Sequence, residues 1–211
     1  MITKKLDIAG WARKDHFHFY NQFDEPFFGV CVNMDCTTAY TTCKKNNWSF
    51  FLYYLYASLK AANRIEPFRY RIHAGEILIY DSVGASPTIM RDDETFGFAY
   101  FEYRETFADF SEAAQPEIQK VRNSQGLNPS VSGENTIHYS TLPWINFSSI
   151  SHARNYAFKD CIPKISFGKM TGEAGKKSMP VSVHVHHGLI DGIQVGRLID
   201  SFQQLLDNIE D

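Results

Sequence analysis

Val181-Ser-Val-His-Val-His-His187-Gly-Leu-Ile-Asp191-Gly-Ile-Gln-Val195 carries a strand through a tight turn into a helix. Apolar Val181, Val183 and Val185 alternate with Ser182, His184 and His186, the period-two pattern of a strand with two unlike faces. Gly188-Leu-Ile-Asp-Gly192 breaks the alternation and reads as a turn. Beyond it, Val195, Leu198, Ile199, Phe202, Leu205, Leu206 and Ile209 recur at the i, i+3, i+4, i+7 spacing of an amphipathic helix. Asp191 is placed to cap that helix, and Gln194 three residues on completes a capping-box pair. This is an α/β unit with histidines at the joint.

The same two periods recur upstream. A helix is expected from near Ala12 to Tyr20, and Phe28 to Asp35 alternates like a strand. Trp48, Phe51, Leu52, Leu55, Leu59 and Ala62 predict a helix over 48–63. Phe68 to Ile72 and Ile77 to Tyr80 flank Ala74-Gly75 and read as a hairpin. Phe107, Phe110, Ala114, Ile118 and Val121 lie along one side of a helix expected from Glu105 to Arg122. Ser124 to Asn135 reads as one surface loop. No repeat and no shift in composition divides the chain, so residues 1–211 are expected to form a single domain.

Length and composition narrow the function classes. A chain of 211 residues buries roughly 70% of its unfolded surface and needs no disulfide or metal staple. Lys and Arg total 21 against 24 Asp and Glu, a net charge of −3, without the basic footprint of a nucleic-acid binder. The 21% charged and 15% aromatic content excludes a disordered chain. The opening Met-Ile-Thr-Lys-Lys turns polar before an apolar secretion-signal core can form. The most apolar window, Trp48 to Ala62, is too short to span a bilayer and holds Ser58 and Lys60. A cytoplasmic protein with no membrane partner is expected. Cys31, Cys36, Cys43 and Cys161 form no Cys-x-x-Cys pair and read as buried or idle thiols.

The joint holds the candidate chemistry. In a regular strand His187 shares a face with Val183 and Val185, a lone imidazole on an apolar face. An imidazole titrates near neutral pH and can serve as a general base, or it can be a core histidine whose nitrogens find backbone partners. His184 and His186 have the His-x-His spacing by which one strand offers two ligands to zinc, but no second spacing supplies a third. Asp191 has three open roles: helix cap, partner orienting His187, or ion pair with an arginine. No Gly-x-Ser-x-Gly elbow and no Gly-rich phosphate loop is present.

His186-His187-Gly-Leu-Ile-Asp191-Gly192, closing a strand and opening the last helix, resembles the signature of the chloramphenicol acetyltransferase family. Four further regions resemble the family's segments in its order. They are Trp11-Ala-Arg13-Lys-Asp-His-Phe17, then Phe68-Arg with Gly75-Glu-Ile-Leu-Ile-Tyr-Asp-Ser-Val83, then Glu94-Thr-Phe96, and Pro143-Trp-Ile-Asn-Phe-Ser-Ser149. The chain also departs from the family pattern. His184 stands at its usual Gln, Gly188 at its Ala or Ser, Ile193-Gln194 at its Phe/Tyr-His, Met170 at its Tyr, and Pro26-Phe27 at its Pro-Cys.

The resemblance implies a CoA-dependent acyltransferase fold: an α/β two-layer sandwich, a mixed β-sheet packed on helices. It implies a homotrimer with each site at a subunit interface, and direct transfer of the acetyl group of acetyl-CoA to a hydroxyl of chloramphenicol. His187 would be the general base, reaching into the neighbour's acceptor pocket. Ser149 would donate a hydrogen bond to the developing oxyanion. Asp191 would pair with Arg13 and hold the catalytic turn. Tyr20, Phe28 and Phe96 would line the acceptor pocket, and Ser166 would hold a water near the reacting centre. Acetyl-CoA is the implied co-substrate, a small hydroxylated molecule the acceptor, and no metal takes part.

Overall fold

In the computed structural model, residues 3–127 and 133–209 are described. The alternation at 181–187 belongs to the longest strand, Lys176–His186. Numbered in chain order, the strands are β1 (Thr3–Lys5), β2 (Phe27–Asp35), β3 (Tyr70–His73), β4 (Glu76–Tyr80), β5 (Gly84–Met90), β6 (Phe96–Phe98), β7 (Thr136–Thr141), β8 (Lys164–Phe167), β9 (Thr171–Glu173) and β10 (Lys176–His186). The helices are α1 (Lys14–Tyr20), α2 (Thr37–Lys45), α3 (Phe50–Asn63), α4 (Phe107–Arg122) and α5 (Gly192–Asp207). The large sheet runs β2-β10-β8-β7-β5-β6, with β9 added beside β10, while β1-β4-β3 forms a separate small sheet. β5–β7 and β7–β8 are parallel and the remaining ladders antiparallel, so the large sheet is mixed. The α/β architecture and mixed sheet on helices expected from the sequence are present.

Register divides this sheet into two chemically different faces. On one, Val181, Val183 and Val185 stand opposite Val32, Val30 and Phe28 of β2, and Val181 and Val183 opposite Phe167 and Ile165 of β8. Tyr139 and Ile137 of β7 extend that face. It packs on the helices: Phe167 meets Tyr54 of α3 at 4.6 Å and Phe202 of α5 at 6.2 Å, and the Tyr139 hydroxyl bonds Ser58 of α3 at 3.3 Å. On the other face one row reads Ser86, His138, Lys164, His184 and Gly29, and the next Ser140, Ser166, Ser182 and Cys31. Gly29 is bare for a reason, since a Cβ there would come within 2.3 Å of the His184 ring.

Several boundaries differ from the periodicity. Ser49 caps α3 by accepting from Leu52 N–H, so the helix starts at Phe50 rather than Trp48. Thr106 caps α4 in the same way, and that helix starts at Phe107. Glu66–Arg69 is a 3₁₀ turn set up by Pro67, which delays the hairpin strand to Tyr70. Ala74 and Gly75, at φ 50° and 81°, form the expected left-handed hairpin turn. α2 was not expected; its threonines disfavour a helix, but burial of Ala39 and Cys43 outweighs that preference. Cys36 and Cys43 are buried there, and burial pushes both thiols up to about 11. Of the loop expected over 124–135, residues 128–132 lie outside the described residues.

Candidate active site

His187 follows directly on β10, and its N–H donates to the Pro26 carbonyl at 2.8 Å, extending the β10–β2 ladder by one residue. Its ring therefore continues the face of Val183 and Val185. It stacks on Tyr20, from the last turn of α1, at 4.0 Å and 18°, and meets the Phe28 ring at 4.6 Å and 51°. The buried Nδ1 has no hydrogen-bond partner among the described residues. Two of the expected pocket aromatics thus hold the expected base between them.

Arg13, just before α1, ties the turn together. Its Nη1 donates to Asp191 Oδ2 at 2.7 Å and its Nη2 to the His187 carbonyl at 2.8 Å. Asp191 also caps α5: its side chain accepts from Gly192 N–H, and Gln194 returns a bond to the Asp191 N–H, completing the capping box. Two of the three roles open to Asp191 are therefore filled at once. The hydrogen bond from Arg13, followed by that from Gly192, holds its carboxyl below the usual range. A fork-shaped guanidinium bridging a carboxylate and a carbonyl fixes the peptide bearing His187 more rigidly than a lysine could.

The other two histidines of the run have packing partners. His186 lies edge-on to Phe27 at 5.8 Å, and its Nδ1 accepts from Gly188 N–H at 3.1 Å. Burial pushes it down to about 4. A Cβ on residue 188 would stand 2.9 Å from that ring, which accounts for the bare Gly188. The His184 Nδ1 lies 3.1 Å from Ser182 Oγ, and its ring is edge-on to His152 at 4.8 Å. Among the described residues no group of three or more His, Cys, Asp or Glu is placed to hold a metal ion. Phe27 carries Arg154 over its ring at 3.6 Å and Lys164 at 4.7 Å.

A cavity of about 790 Å³ opens on the polar sheet face, a size suited to a small molecule. Its floor is Ser86 and Thr88 of β5, Thr136, His138 and Ser140 of β7, and Lys164 and Ser166 of β8, with Phe96, Phe98 and His152 around it. The Ser166 Oγ and His152 Nε2 are buried there without partners among the described residues. Lys164 is bonded to Asp160 and to the Ile162 carbonyl. Burial raises the Asp160 carboxyl, but the charge and hydrogen bond of Lys164 outweigh it and hold it below the usual range. Burial, then nearby positive charge, pushes His138 and His152 down to about 4. Neutral imidazoles and a paired lysine leave the cavity polar, without a free positive charge among the described lining residues.

The eight expected site residues thus fall into separate places. His187, Tyr20, Phe28, Arg13 and Asp191 gather at the turn. Phe96 and Ser166 line the cavity on the opposite sheet face. Ser149 is exposed on the segment between β7 and β8, beside a cleft of about 290 Å³ lined by Cys31, Val32, Asn33, Asn146, Phe147 and Ser148. Met170 packs against the core. His138, His152 and Lys164 were missed; the alternation of Thr136-Ile-His-Tyr-Ser140 and Lys164-Ile-Ser-Phe167 was the available signal for the floor.

A sequence profile described as Chloramphenicol acetyltransferase matches residues 1–203. The chain belongs to the chloramphenicol acetyltransferase family. It is accordingly an acyltransferase. A chloramphenicol acetyltransferase of Proteus mirabilis is 29% identical over 213 residues, covering 98% of each chain. A solved chloramphenicol acetyltransferase superposes with a TM-score of 0.90 at 28% identity, covering 97% of this chain and 100% of its own. A probable dihydrolipoamide acetyltransferase from Listeria monocytogenes shares the fold at a TM-score of 0.67 and 12% identity, covering 93% of this chain and 90% of its own. Among the described residues no helix is long and apolar enough to cross a membrane.

Proposed function

We propose that this chain transfers the acetyl group of acetyl-CoA to a hydroxyl of chloramphenicol, at sites shared between the subunits of a homotrimer in the cytoplasm. The observation that carries the reading is the turn after β10. There one aromatic pair clamps His187 while Arg13 ties its carbonyl to Asp191. His187 takes the proton of the acceptor hydroxyl as its oxygen attacks the thioester carbonyl. Ser149 hydrogen-bonds the carbonyl oxygen as charge builds on it, a contribution typically worth ~10²–10³ in rate. Once the tetrahedral intermediate forms, Ser166 holds a water beside it, a task open to any hydroxyl. Acetyl-CoA supplies the acyl group, and the amides of Asn33 and Asn146 beside Ser149 suit the amide-bearing arm of that co-substrate.

The split of the site between two sheet faces supports an assembly in which His187 serves the cavity of a neighbouring copy. Trp144 is 63% exposed and Phe158 73% exposed, as surfaces covered by another subunit are in a lone chain. Two measurements test the reading. Release of free CoA thiol is expected to depend on chloramphenicol; none at millimolar drug would overturn it. Co-assembling inactive His187→Ala and Ser149→Ala subunits in equal amounts is expected to restore about a quarter of the wild-type rate, the share of interfaces where both intact residues meet. No recovery in mixed trimers would place both residues on one chain.

A further inference from the structure

Two polar atoms buried at the cavity have no partner among the described residues: Ser166 Oγ and His152 Nε2. The first has a role in the proposed reaction, while the second has none. Buried polar groups are nearly always paired, so an unpaired one lining a small-molecule cavity identifies a place where ligand atoms complete the bonding. His152 is held there by its edge-on contact with His184, whose ring is in turn fixed across Gly29 and by Ser182. Among the described residues one lysine lies on the cavity floor, and it is engaged by Asp160; Arg154 nearby faces Glu25 at 3.4 Å and Asp160 at 3.9 Å. Among the described lining residues an acidic acceptor would find no free cation to offset its loss of water.

We propose that His152 determines acceptor specificity. Its Nε2 hydrogen-bonds a second, neutral polar group of the acceptor, a hydroxyl or an amide, and the cavity thereby selects neutral, multiply polar alcohols over simple alcohols and over acids. This rests on the acetyl-transfer reading above. Chloramphenicol, with its second hydroxyl and its amide, belongs to the favoured class.

The test compares wild type, His152→Leu and His152→Asn on three alcohols: chloramphenicol, nitrobenzyl alcohol and hydroxymethylbenzoate. Each is followed by CoA release and, separately, by calorimetric binding. Wild type is expected to prefer chloramphenicol. His152→Leu is expected to lower that preference about tenfold, the value of one hydrogen bond, through KM rather than kcat and with nitrobenzyl alcohol affected less than chloramphenicol. His152→Asn, which keeps a donor and an acceptor, is expected to restore part of it. An unchanged preference in His152→Leu overturns the assignment, as does a parallel loss for every alcohol. Acetyl transfer to none of the three, with chloramphenicol binding still weakened in His152→Leu, defeats the transfer reading and supports the His152 site. Equal chloramphenicol binding by wild type and His152→Leu, or no binding of any alcohol at millimolar concentration, defeats the His152 site.

Discussion

The two faces of one sheet are built from the same strands with opposite chemistry. Val181, Val183, Val185, Ile165 and Phe167 face the helices and leave no polar atom to satisfy. Ser182, His184, Lys164 and Ser166, their immediate neighbours in sequence, lie on the other face; Lys164 and Ser166 line the cavity there, and the Ser166 hydroxyl is buried without a partner among the described residues. A strand's period of two lets one segment serve packing and ligand binding together, because a single-residue step changes the face. His187 is the exception, an ionisable ring on the face otherwise given to packing. The comparison is therefore tested most severely there.

Replacing His187 with Ala is expected to lower kcat by about 10³-fold, inside the range for loss of a general base. The fold should persist, because the turn is held by Arg13, Asp191 and the backbone bonds of Leu189 and Ile190 to the His186 carbonyl rather than by the ring. Steady-state kinetics alongside a thermal melt separates the two effects. Activity within tenfold of wild type would assign the proton transfer to another group. A collapsed melting temperature would make His187 a packing residue like the valines beside it.

The packing face and the turn were legible in the sequence because each signal is local. Alternation fixes which valines point inward, and Asp191 with Gln194 marks the helix start within four residues. Arg13 lies 178 residues from Asp191, and no periodicity predicts that contact; only the family resemblance paired them. The cavity was less legible for a related reason. β7 and β8 are short, their polar residues read as ordinary surface, and only their parallel register beside β5 gathers Ser86, His138 and Lys164 into one row. His152 sits on an irregular segment with no pattern at all. Long-range assembly, rather than weak local preference, hid this half of the site.

A second way to sharpen the comparison uses acid. His186 is 2% exposed, and burial brings it down to about 4 in the folded chain, against roughly 6.5 when unfolded. A lowered histidine value means that the unfolded chain binds the proton first. Stability is therefore unaffected above about pH 6.5 and is lost as pH falls from there toward 4. For one fully buried histidine the loss at pH 4 is roughly 3 kcal/mol. Asp160 and Asp191, both held low, add their losses only as pH falls into the ordinary carboxylate range, at the bottom of that window. Urea unfolding from pH 8 to 4.5 should show the decline, and His186→Gln should make it shallower by one histidine's share, with His138 and His152 supplying the rest. An equal decline in that variant would move the acid sensitivity to the cavity histidines.

The smallest effect is the most discriminating, because its sign differs between a packing residue and a ligand-binding one. Ser166 lies on the cavity face with its hydroxyl buried and unpaired. A buried hydroxyl without a partner opposes folding, so removing it is neutral or stabilising, whereas removing a paired one costs about 1 kcal/mol. Ser166→Ala is expected to raise stability by roughly 0.5 kcal/mol, read as a small upward shift in urea midpoint at constant slope, while lowering kcat/KM several-fold. Stability given up at a position that activity requires is the signature of a site under functional selection. Destabilisation by Ser166→Ala with unchanged kinetics would make the cavity floor a structural hydrogen-bond layer. The two faces would then differ in polarity but not in purpose.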